Sequence, residues 1–414
     1  MLHDPAAHEN LVPIAWDASR ARGLIERIAA DAAAHYANGI VRPVHPRDGG
    51  PERAPHGELY LGAGGVLWAL HYLHSLGATQ ERIDAGMVAA VLQRHQEWQA
   101  SFGGTEFGSY FIGDVALWLL HYALEPSEAT ADRIEALIRG NLENPARELM
   151  WGAPGTLLVA WFLHGHTQAA RWAELFRLTA RTLWGELLWS GEHRCHYWAQ
   201  DLYGKRSTYL DAVHGFAGTA AVVVRGRALL DADEWRDWQL CIENTIERTA
   251  TVEGDRANWR VFLDTPPGGS PRMQMQFCHG APGFVACLAD LPGPRLDALL
   301  LAAGEATWVA GPLVKGANLC HGTGGNGYAF LKLFQRTNDE RWLDRARAFA
   351  MHAIGQCERD AVRFGQLHYS LWTGDLGLAV YLWDCIRGQP AFPCLDVFFG
   401  RDRSASAGRG SAPA

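Results

Sequence analysis

One short phrase, a Gly-x-x-Gly step that leads into an apolar run, recurs along most of the chain. Six copies keep both glycines, and a degenerate seventh, Gly113 to Ala116, keeps only the first. The copies begin at Gly62, Gly113, Gly152, Gly215, Gly280, Gly322 and Gly374. Such self-similarity predicts a repeat architecture, in which one unit cannot bury its own apolar face. Amphipathic segments rich in Arg and Glu lie between the copies, so each unit pairs an apolar helix with an amphipathic one.

The apolar helices of these units are hydrophobic on every side and therefore cannot face water. A closed ring solves this problem, with seven inner helices lining an interior and seven amphipathic helices packed outside them. We therefore expect an all-α fold, an α/α toroid (double α-barrel) of seven Gly-rich helical hairpin repeats. An open solenoid is the alternative. Solenoids normally carry polar terminal repeats, however, and the first and last copies here are as apolar as the others.

The repeats predict a single domain that contains most of the chain. Residues 1–18 show no clear periodicity and are expected to form an N-terminal extension, whereas residues 19–395 would form the toroid. Residues 396–414, which end in Ser, Gly, Ala and Arg, are expected to form a disordered C-terminal tail. Strand signals are weak apart from short β-prone pieces in the long loops, such as Trp259 to Leu263.

Charge and apolar patterning exclude several classes of function. The net charge is -8 and the basic residues are scattered, so we expect no nucleic-acid partner. No apolar run of membrane length occurs, and the first residues lack the basic start and apolar core of a signal peptide. We therefore expect a cytoplasmic protein without membrane insertion. In that reducing compartment the eight cysteines are expected to bind metal or to be buried, rather than to form disulfides.

The side chain before the first glycine of each copy should point to a common rim, because glycine allows the chain to turn sharply there. Cysteine stands directly before two of the histidines in this position, at Cys278 and Cys320, and the other six cysteines are expected to be small buried residues. The residues at the rim position are Leu61, Ile112, Trp151, His214, His279, His321 and Thr373.

Cys278, Cys320 and His321 together match a catalytic zinc site. Zinc binds Cys and His, and three protein ligands with one open position is the pattern of catalytic sites. Two thiolates and a neutral imidazole balance the charge of the ion, so a substrate thiol would lose its proton there and remain nucleophilic. We therefore predict one zinc per chain and attack of a thiolate on a carbon electrophile.

Two further histidines stand at the rim position. His279 shares the position of His321 and is a candidate fourth ligand, which would close the site and make it structural. His214 has no adjacent cysteine and is better suited to be a free acid or base, because imidazole exchanges protons near neutral pH. A core histidine with only a structural role is the alternative for His214.

The seven copies, with CHGAPG in the fifth and LCHG in the sixth, resemble the lanthionine synthetase C-like family over about residues 20–390. The resemblance implies an α/α toroid with zinc on Cys278, Cys320 and His321. It also implies addition of a peptide cysteine to dehydroalanine or dehydrobutyrine, which forms the thioether (lanthionine) rings of lanthipeptides. The LanC-like branch of the family implies instead that glutathione is bound or is added to dehydroamino acids. A scaffold that holds glutathione or a peptide without reaction is a separate alternative. CHGAPG and Lys315 resemble that branch.

The resemblance also implies roles for individual residues. His214 would protonate the enolate or take the thiol proton, and Glu148 matches an acidic residue of the cyclases that would assist it. Some cyclases have a basic residue where this chain has Gln274, so Lys315 or Arg272 is a candidate to stabilise the enolate. The expected substrate is a dehydrated precursor peptide or glutathione, and a cyclase would need a separate dehydratase partner. A prenyltransferase-like subunit is a weaker alternative, because the zinc sites of those toroids use Asp, Cys and His.

Overall fold

The computed structural model describes residues 1–37, 40–41, 45–48, 57–101, 107–266 and 273–400, and these ranges contain fourteen α-helices. Outer and inner helices alternate along the chain. The inner helices are α2 (Ala63–Ser75), α4 (Val115–Leu124), α6 (Ala153–Thr167), α8 (Phe216–Arg225), α10 (Ala281–Leu288), α12 (Thr323–Thr337) and α14 (Asp375–Arg387). The outer helices are α1 (Ala18–Ala34), α3 (Ala85–Ser101), α5 (Glu128–Gly140), α7 (Ala170–Gly185), α9 (Ala232–Thr249), α11 (Asp297–Ala310) and α13 (Glu340–Phe364).

The inner helices are the apolar runs of the repeats, and most of them begin directly after the first glycine. Every residue of α10 is buried, whereas α13 buries one face and exposes charged residues on the other. The second glycine of each copy is needed for close packing. At Gly283 and Gly325 a Cβ atom would overlap the carbonyl oxygen of Phe277 and Leu319 respectively, six residues earlier. The glycines therefore let each turn fold back onto the start of its inner helix.

The ring of inner helices is closed. Each inner helix packs against the next one along the chain, and α14 packs against α2. The first outer helix, α1, packs against α14 and so joins the two ends of the chain. The α/α toroid of seven helical hairpins is confirmed, and the open solenoid is not what the chain forms.

The loops of the described ranges contain four two-stranded antiparallel ribbons. They are formed by β1 (Tyr36–Ala37) with β2 (Ile40–Val41), β3 (Leu188–Ser190) with β4 (Cys195–Tyr197), β5 (Gln200–Leu202) with β6 (Lys205–Ser207), and β7 (Ala250–Glu253) with β8 (Arg256–Trp259). The β-prone piece from residue 259 to 263 contributes only Trp259 to a named strand. Phe262 instead makes an isolated bridge with Tyr209, ahead of α8.

Both ends of the described chain pack on the toroid. The N-terminal extension contains a short 3-10 helix, Pro5–Ala7, and His8 bridges Leu313. Residues 396–400 were expected to begin a disordered tail, and this part of the prediction is wrong. The Phe398 side chain is buried, and the Trp68 indole donates a hydrogen bond to the Phe398 carbonyl at 2.9 Å. The rest of that tail, residues 401–414, lies outside the described residues.

No helix in the described ranges is both long enough and apolar enough to span a lipid bilayer. The longest, α13, has 25 residues and carries charges along its length.

Candidate metal centre and active site

The structure brings the three expected metal ligands together. Cys278 lies in the turn before α10, and Cys320 and His321 lie in the turn before α12. One potential ligand atom from each side chain lies within 4.8 Å of those of the other two. The two turns are joined directly, because the Cys278 backbone N–H donates a hydrogen bond to the Cys320 carbonyl at 2.9 Å. Both cysteine side chains are buried, and His321 is partly exposed.

The surroundings of the two sulfurs fit a pair of cysteine ligands that share one metal ion. The Tyr60 hydroxyl donates to Cys320 Sγ at 2.8 Å, and Gln276 Nε2 donates to Cys278 Sγ at 3.0 Å. Burial raises the pKa of Cys278 well above its usual range. The hydrogen bond from Cys278, assisted by His321 and Tyr60, lowers the pKa of Cys320 well below its usual range. A sulfur-rich donor set of this kind suits zinc.

A second group among the described residues has comparable spacing but different chemistry. Glu192, His193 and Asp264 also place potential ligand atoms within 4.8 Å of one another. Both carboxylates are exposed, and His193 Nε2 already lies 3.1 Å from Asp264 Oδ1. This group contains no sulfur, so the Cys278 group is the better candidate for zinc.

Polar side chains four residues before the first glycine of a copy hold the turns in shape. Glu148, Asp211 and Asn318 occupy this position in the third, fourth and sixth copies. Each accepts hydrogen bonds from backbone N–H groups of its own turn: Glu148 from Met150 and Trp151, Asp211 from Val213 and His214, and Asn318 from His321. These contacts fix the residues at the rim, including one metal ligand.

Two of these carboxylates also reach the histidine of the next repeat. Glu148 Oε2 lies 2.8 Å from His214 Nδ1, and Asp211 Oδ2 lies 2.7 Å from His279 Nδ1. Both carboxylates are fully buried. The predicted pairing of Glu148 with His214 is therefore present in the structure, and the same arrangement is repeated one step further around the ring.

The Glu148 carboxylate sets the protonation of His214. Burial lowers the pKa of His214, but the hydrogen bond and the negative charge of Glu148 outweigh it and raise the pKa to about 9. His214 therefore holds a proton at neutral pH. Its Nδ1 faces Glu148, so its Nε2 is the nitrogen that remains to donate.

His279 stands outside the group of potential metal ligands within the described ranges. Its Nδ1 is hydrogen-bonded to Asp211, and its ring centroid lies 6.3 Å from that of His214. The structure thus gives His279 a carboxylate partner and a position beside His214. It does not bring His279 into the cluster as a fourth ligand.

Lys315 reaches the metal centre through another side chain. Its ammonium group donates to Gln276 Oε1 at 3.1 Å, and Gln276 in turn donates to Cys278 Sγ. Gln274, which stands where some cyclases have a basic residue, accepts a hydrogen bond from Asn258 through its backbone carbonyl at 2.9 Å. Arg272, the other candidate for stabilising an enolate, lies outside the described residues.

Sequence reasoning missed Tyr60, Gln276 and Asp211, although the repeat contained a signal for all three. Tyr60 stands two residues before the first glycine of its copy, which is the position of Cys278 and Cys320 in theirs. Gln276 and Asp211 stand four residues before theirs, as Glu148 does. In a residue-by-residue alignment of the turns, Tyr60 therefore shares the position of the two cysteines, and Gln276 and Asp211 share the position of Glu148.

Two clefts are each lined by a residue that donates a hydrogen bond to a sulfur of the candidate metal centre. The first has a volume of about 740 Å³ and is lined by Tyr60, His214 and three other residues expected at the rim, namely Leu61, Ile112 and Trp151. The second, of about 600 Å³, is lined by the N-terminal extension, residues 273–276 and Lys315. Tyr60 and Gln276, which donate to the two sulfurs, thus each line one cleft.

Two curated LanC-like proteins are similar to this chain in sequence. The chain is 37% identical over 196 residues to "Glutathione S-transferase LANCL1" of Danio rerio, covering 46% of each chain. It is 28% identical over 251 residues to "LanC-like protein GCL1" of Arabidopsis thaliana, covering 57% of this chain and 54% of that one. The chain thus spans about half the length of these curated relatives in the matched regions.

A solved structure supports the architecture. The structure of "Nisin cyclase" matches with a TM-score of 0.55 at 14% identity, covering 88% of this chain and 98% of the cyclase. At that identity the likeness speaks for the fold alone. The family model described as "Lanthionine synthetase C-like protein" matches residues 21–397. This match covers all fourteen helices, apart from the first three residues of α1. The chain therefore belongs to the lanthionine synthetase C-like family.

Proposed function

We propose that the protein is a zinc enzyme that adds a thiol to a dehydroalanine or dehydrobutyrine residue of a peptide, with formation of a thioether. One observation carries the proposal: Cys278, Cys320 and His321 gather next to Tyr60, which lines a cleft that protonated His214 also lines. Zinc held by the three side chains would supply a Lewis acid at which a substrate thiol loses its proton.

The protein's own residues prepare the two sulfur ligands. Tyr60 and Gln276 each donate one hydrogen bond to a cysteine sulfur, and such donors orient metal ligands and moderate their negative charge. Lys315 holds the amide of Gln276 from the other side, so that its Nε2 points to Cys278. Lys315 is thereby a positioning residue for the metal centre.

His214 is the proton donor in the proposed reaction. The thiol sulfur forms a bond to the β-carbon of the dehydroamino acid, and the π electrons move toward the α-carbon and its carbonyl. A proton from His214 Nε2 to the α-carbon then completes the addition. The proton lost by the thiol restores His214 by way of solvent, so the sum is one thiol added across one double bond. Glu148 keeps the imidazole protonated and oriented for this step.

The thiol can come from either of two sources. A cysteine of the same peptide would give a lanthionine ring, and membership of the family described as "Lanthionine synthetase C-like protein" supports this candidate. A separate dehydratase would then have to prepare the peptide. Glutathione is the second candidate, and the relative named "Glutathione S-transferase LANCL1" supports it. A scaffold that binds a peptide or glutathione without reaction is the remaining alternative.

Mass spectrometry and thiol titration separate these functions. The zinc-loaded protein is incubated with a dehydrated peptide that contains one cysteine, and separately with a cysteine-free dehydrated peptide plus glutathione. Cyclisation removes the free thiol without a change in peptide mass, whereas the glutathione reaction adds the mass of one glutathione. Cys320→Ala should abolish either reaction. Cys357→Ala, which alters a buried cysteine outside the site, should not. Unchanged peptides with zinc-loaded protein would contradict the proposal.

A further inference from the structure

The tip of the β5–β6 ribbon carries an aromatic residue that its backbone disfavours. Tyr203 and Gly204 form the two-residue turn, and both have left-handed φ angles, of 56° and 74°. Hairpin turns of this kind favour Asn, Asp or Gly, because a bulky side chain is strained there. The turn itself therefore does not explain why a tyrosine stands at this position, and the contacts of its side chain are the better explanation.

The Tyr203 ring stands at the lip of the 740 Å³ cleft that also contains His214. Its side chain is 83% exposed, and the ring lies edge-on to Trp151 with centroids 5.6 Å apart. Trp151 in turn stacks on Phe107 at 5.7 Å. We call Phe107, Trp151 and Tyr203, which come from three separate segments of the chain, the aromatic lip.

The ribbon presents Tyr203 from an anchored base. The Gln200 side chain is fully buried, and its Oε1 accepts a hydrogen bond from the Tyr209 backbone N–H at 2.8 Å. The Asp201 backbone N–H donates to the Pro145 carbonyl at 2.9 Å. These hydrogen bonds hold the base of the ribbon on the toroid, two residues before Tyr203.

The cleft wall has an apolar part beside the aromatic lip, although Glu58, Lys205 and Ser207 also line the cleft. Leu61, Ile112 and Met150 contribute to this apolar part, and each is partly exposed. Exposed aromatic and aliphatic surface gains free energy when an apolar group covers it, and aromatic rings pack such groups with defined geometry. The cleft thus suits an apolar side chain lying beside the atom that His214 protonates.

We infer that the aromatic lip is a specificity subsite for an apolar side chain adjacent to the dehydroamino acid in the peptide substrate. The subsite selects the peptide that carries the electrophile, so it operates with either source of thiol. This inference rests on the proposed function. It adds the class of peptide that the site accepts, namely one with a Phe-like or Leu-like neighbour beside the reactive residue.

The test compares two cysteine-containing dehydrated peptides that differ only in the neighbour of dehydroalanine, which is Phe in one and Gly in the other. For the wild-type protein we expect kcat/KM to favour the Phe peptide by about tenfold, a usual ratio for one apolar group in a pocket. Tyr203→Asn suits the left-handed turn and removes the ring, so the ratio should fall to about two- or threefold. Tyr203→Phe should keep the full ratio.

Two measurements make the test independent of folding and of turnover. Trp189→Ala removes another exposed aromatic ring, 57% exposed on the neighbouring β3, and should leave the ratio unchanged. Labelled peptides with alanine in place of dehydroalanine report binding by fluorescence anisotropy, where the same preference for Phe is expected. Trp151→Leu, which removes a second ring of the lip, should reduce that preference as Tyr203→Asn does.

The outcomes distinguish this inference from the function on which it rests. Equal binding and equal rates for the Phe and Gly peptides with wild-type protein would overturn the subsite, as would a preference that survives both Tyr203→Asn and Trp151→Leu. Peptides that bind with the expected preference but are never converted would contradict the proposed reaction and still support the subsite.

Discussion

Tyr60 links the first repeat to the candidate metal centre through one hydrogen bond. Its hydroxyl donates to Cys320 Sγ at 2.8 Å, and its ring stacks on Trp372 with centroids 5.9 Å apart. The hydrogen bond lowers the negative charge that builds up on the sulfur when Cys320 is a thiolate. The phenol thereby stabilises the charged form of this candidate ligand.

Tyr60→Phe is predicted to weaken the binding of zinc. The variant keeps the ring and loses only the hydrogen bond, so zinc release to an excess of chelator should be about tenfold faster. Release can be followed with a colorimetric chelator. Tyr110→Phe, which removes a buried hydroxyl bound to the Cys394 carbonyl, is the matched control and should release zinc at the wild-type rate. Identical release from both variants would exclude a role for Tyr60 at the centre.

Glu148→Gln is predicted to destabilise the protein in a pH-dependent way. The folded pKa of His214, about 9, is above the ordinary 6.5, so the pair stabilises the fold fully below pH 6.5. This stabilisation is lost as the pH rises through about 9. The variant should therefore lose about 2 kcal/mol of unfolding free energy at pH 6 and less at pH 9.5. Urea titrations at both pH values measure the difference.

The control for this prediction is Glu128→Gln, which removes an exposed carboxylate that pairs with Arg171 rather than with histidine. Its effect should be small and nearly the same at both pH values. A loss in Glu148→Gln that is equally large at pH 6 and pH 9.5 would contradict the assigned pairing. Such a result would mean that Glu148 stabilises the fold only through its hydrogen bonds with backbone N–H groups.

The turns ahead of the inner helices are the elements that sequence reasoning predicted best. Every inner helix follows a recognisable glycine, and the position of Cys278, Cys320 and His321 relative to that glycine was sufficient to group them. The β-ribbons were largely missed, because strands of two to four residues are too short to show an alternating pattern. Tyr60 was missed although it has the same position relative to its glycine as Cys278 and Cys320, because tyrosine is not among the usual zinc ligands and its hydrogen-bond partner lies 260 positions away.

Gly325→Ala is predicted to damage the turn that carries Cys320 and His321. The added Cβ would overlap the Leu319 carbonyl oxygen, so the turn has to shift. We expect a loss of about 1–3 kcal/mol of stability, as in other overpacked sites, together with less than one zinc per chain. Thermal denaturation and elemental analysis of the purified protein measure the two effects.

Gly165→Ala provides the matched control within another inner helix. A Cβ atom at Gly165 meets nothing within 4 Å, and the residue lies in α6. Alanine favours the helix there, so the melting temperature should stay the same or rise and the zinc content should not change. Equal behaviour of the two variants would mean that the close approach at Gly325 tolerates a side chain.

The C-terminal segment, residues 390–400, completes the interior of the whole ring. The Phe392 ring stacks on Phe277 at 4.3 Å, directly beside the Cys278 ligand. Asp396 pairs with Arg225 of α8 and, at 2.9 Å, with Lys332 of α12. In the sequence, Asp396 falls in the segment that was expected to form a disordered tail. The burial of these ion pairs could not be predicted, since it depends on contacts between distant repeats that exist only after the ring has closed.

Asp396→Asn is predicted to destabilise the protein strongly. The substitution leaves Arg225 without its carboxylate partner and leaves Lys332 with only Asp290, which lies 2.7 Å away. Removing one partner of a buried ion pair typically costs about 3–5 kcal/mol. Chemical denaturation measures the loss. Asp233→Asn, at an exposed pair with Arg236, should change stability by less than about 1 kcal/mol. Comparable effects of the two variants would contradict the role given to Asp396.

The hydrogen bond between Tyr60 and Cys320 joins residues that leave the ribosome far apart in time. The chain emerges with its first repeat hundreds of residues before the sixth, and α1 cannot meet α14 until translation is nearly complete. The hydrogen bond to Cys320 can therefore form only after the sixth repeat has been made and has met the first. Under the proposed function, the complete site would be present only late in biosynthesis, so the cell's thiols and peptides would meet it in the finished ring.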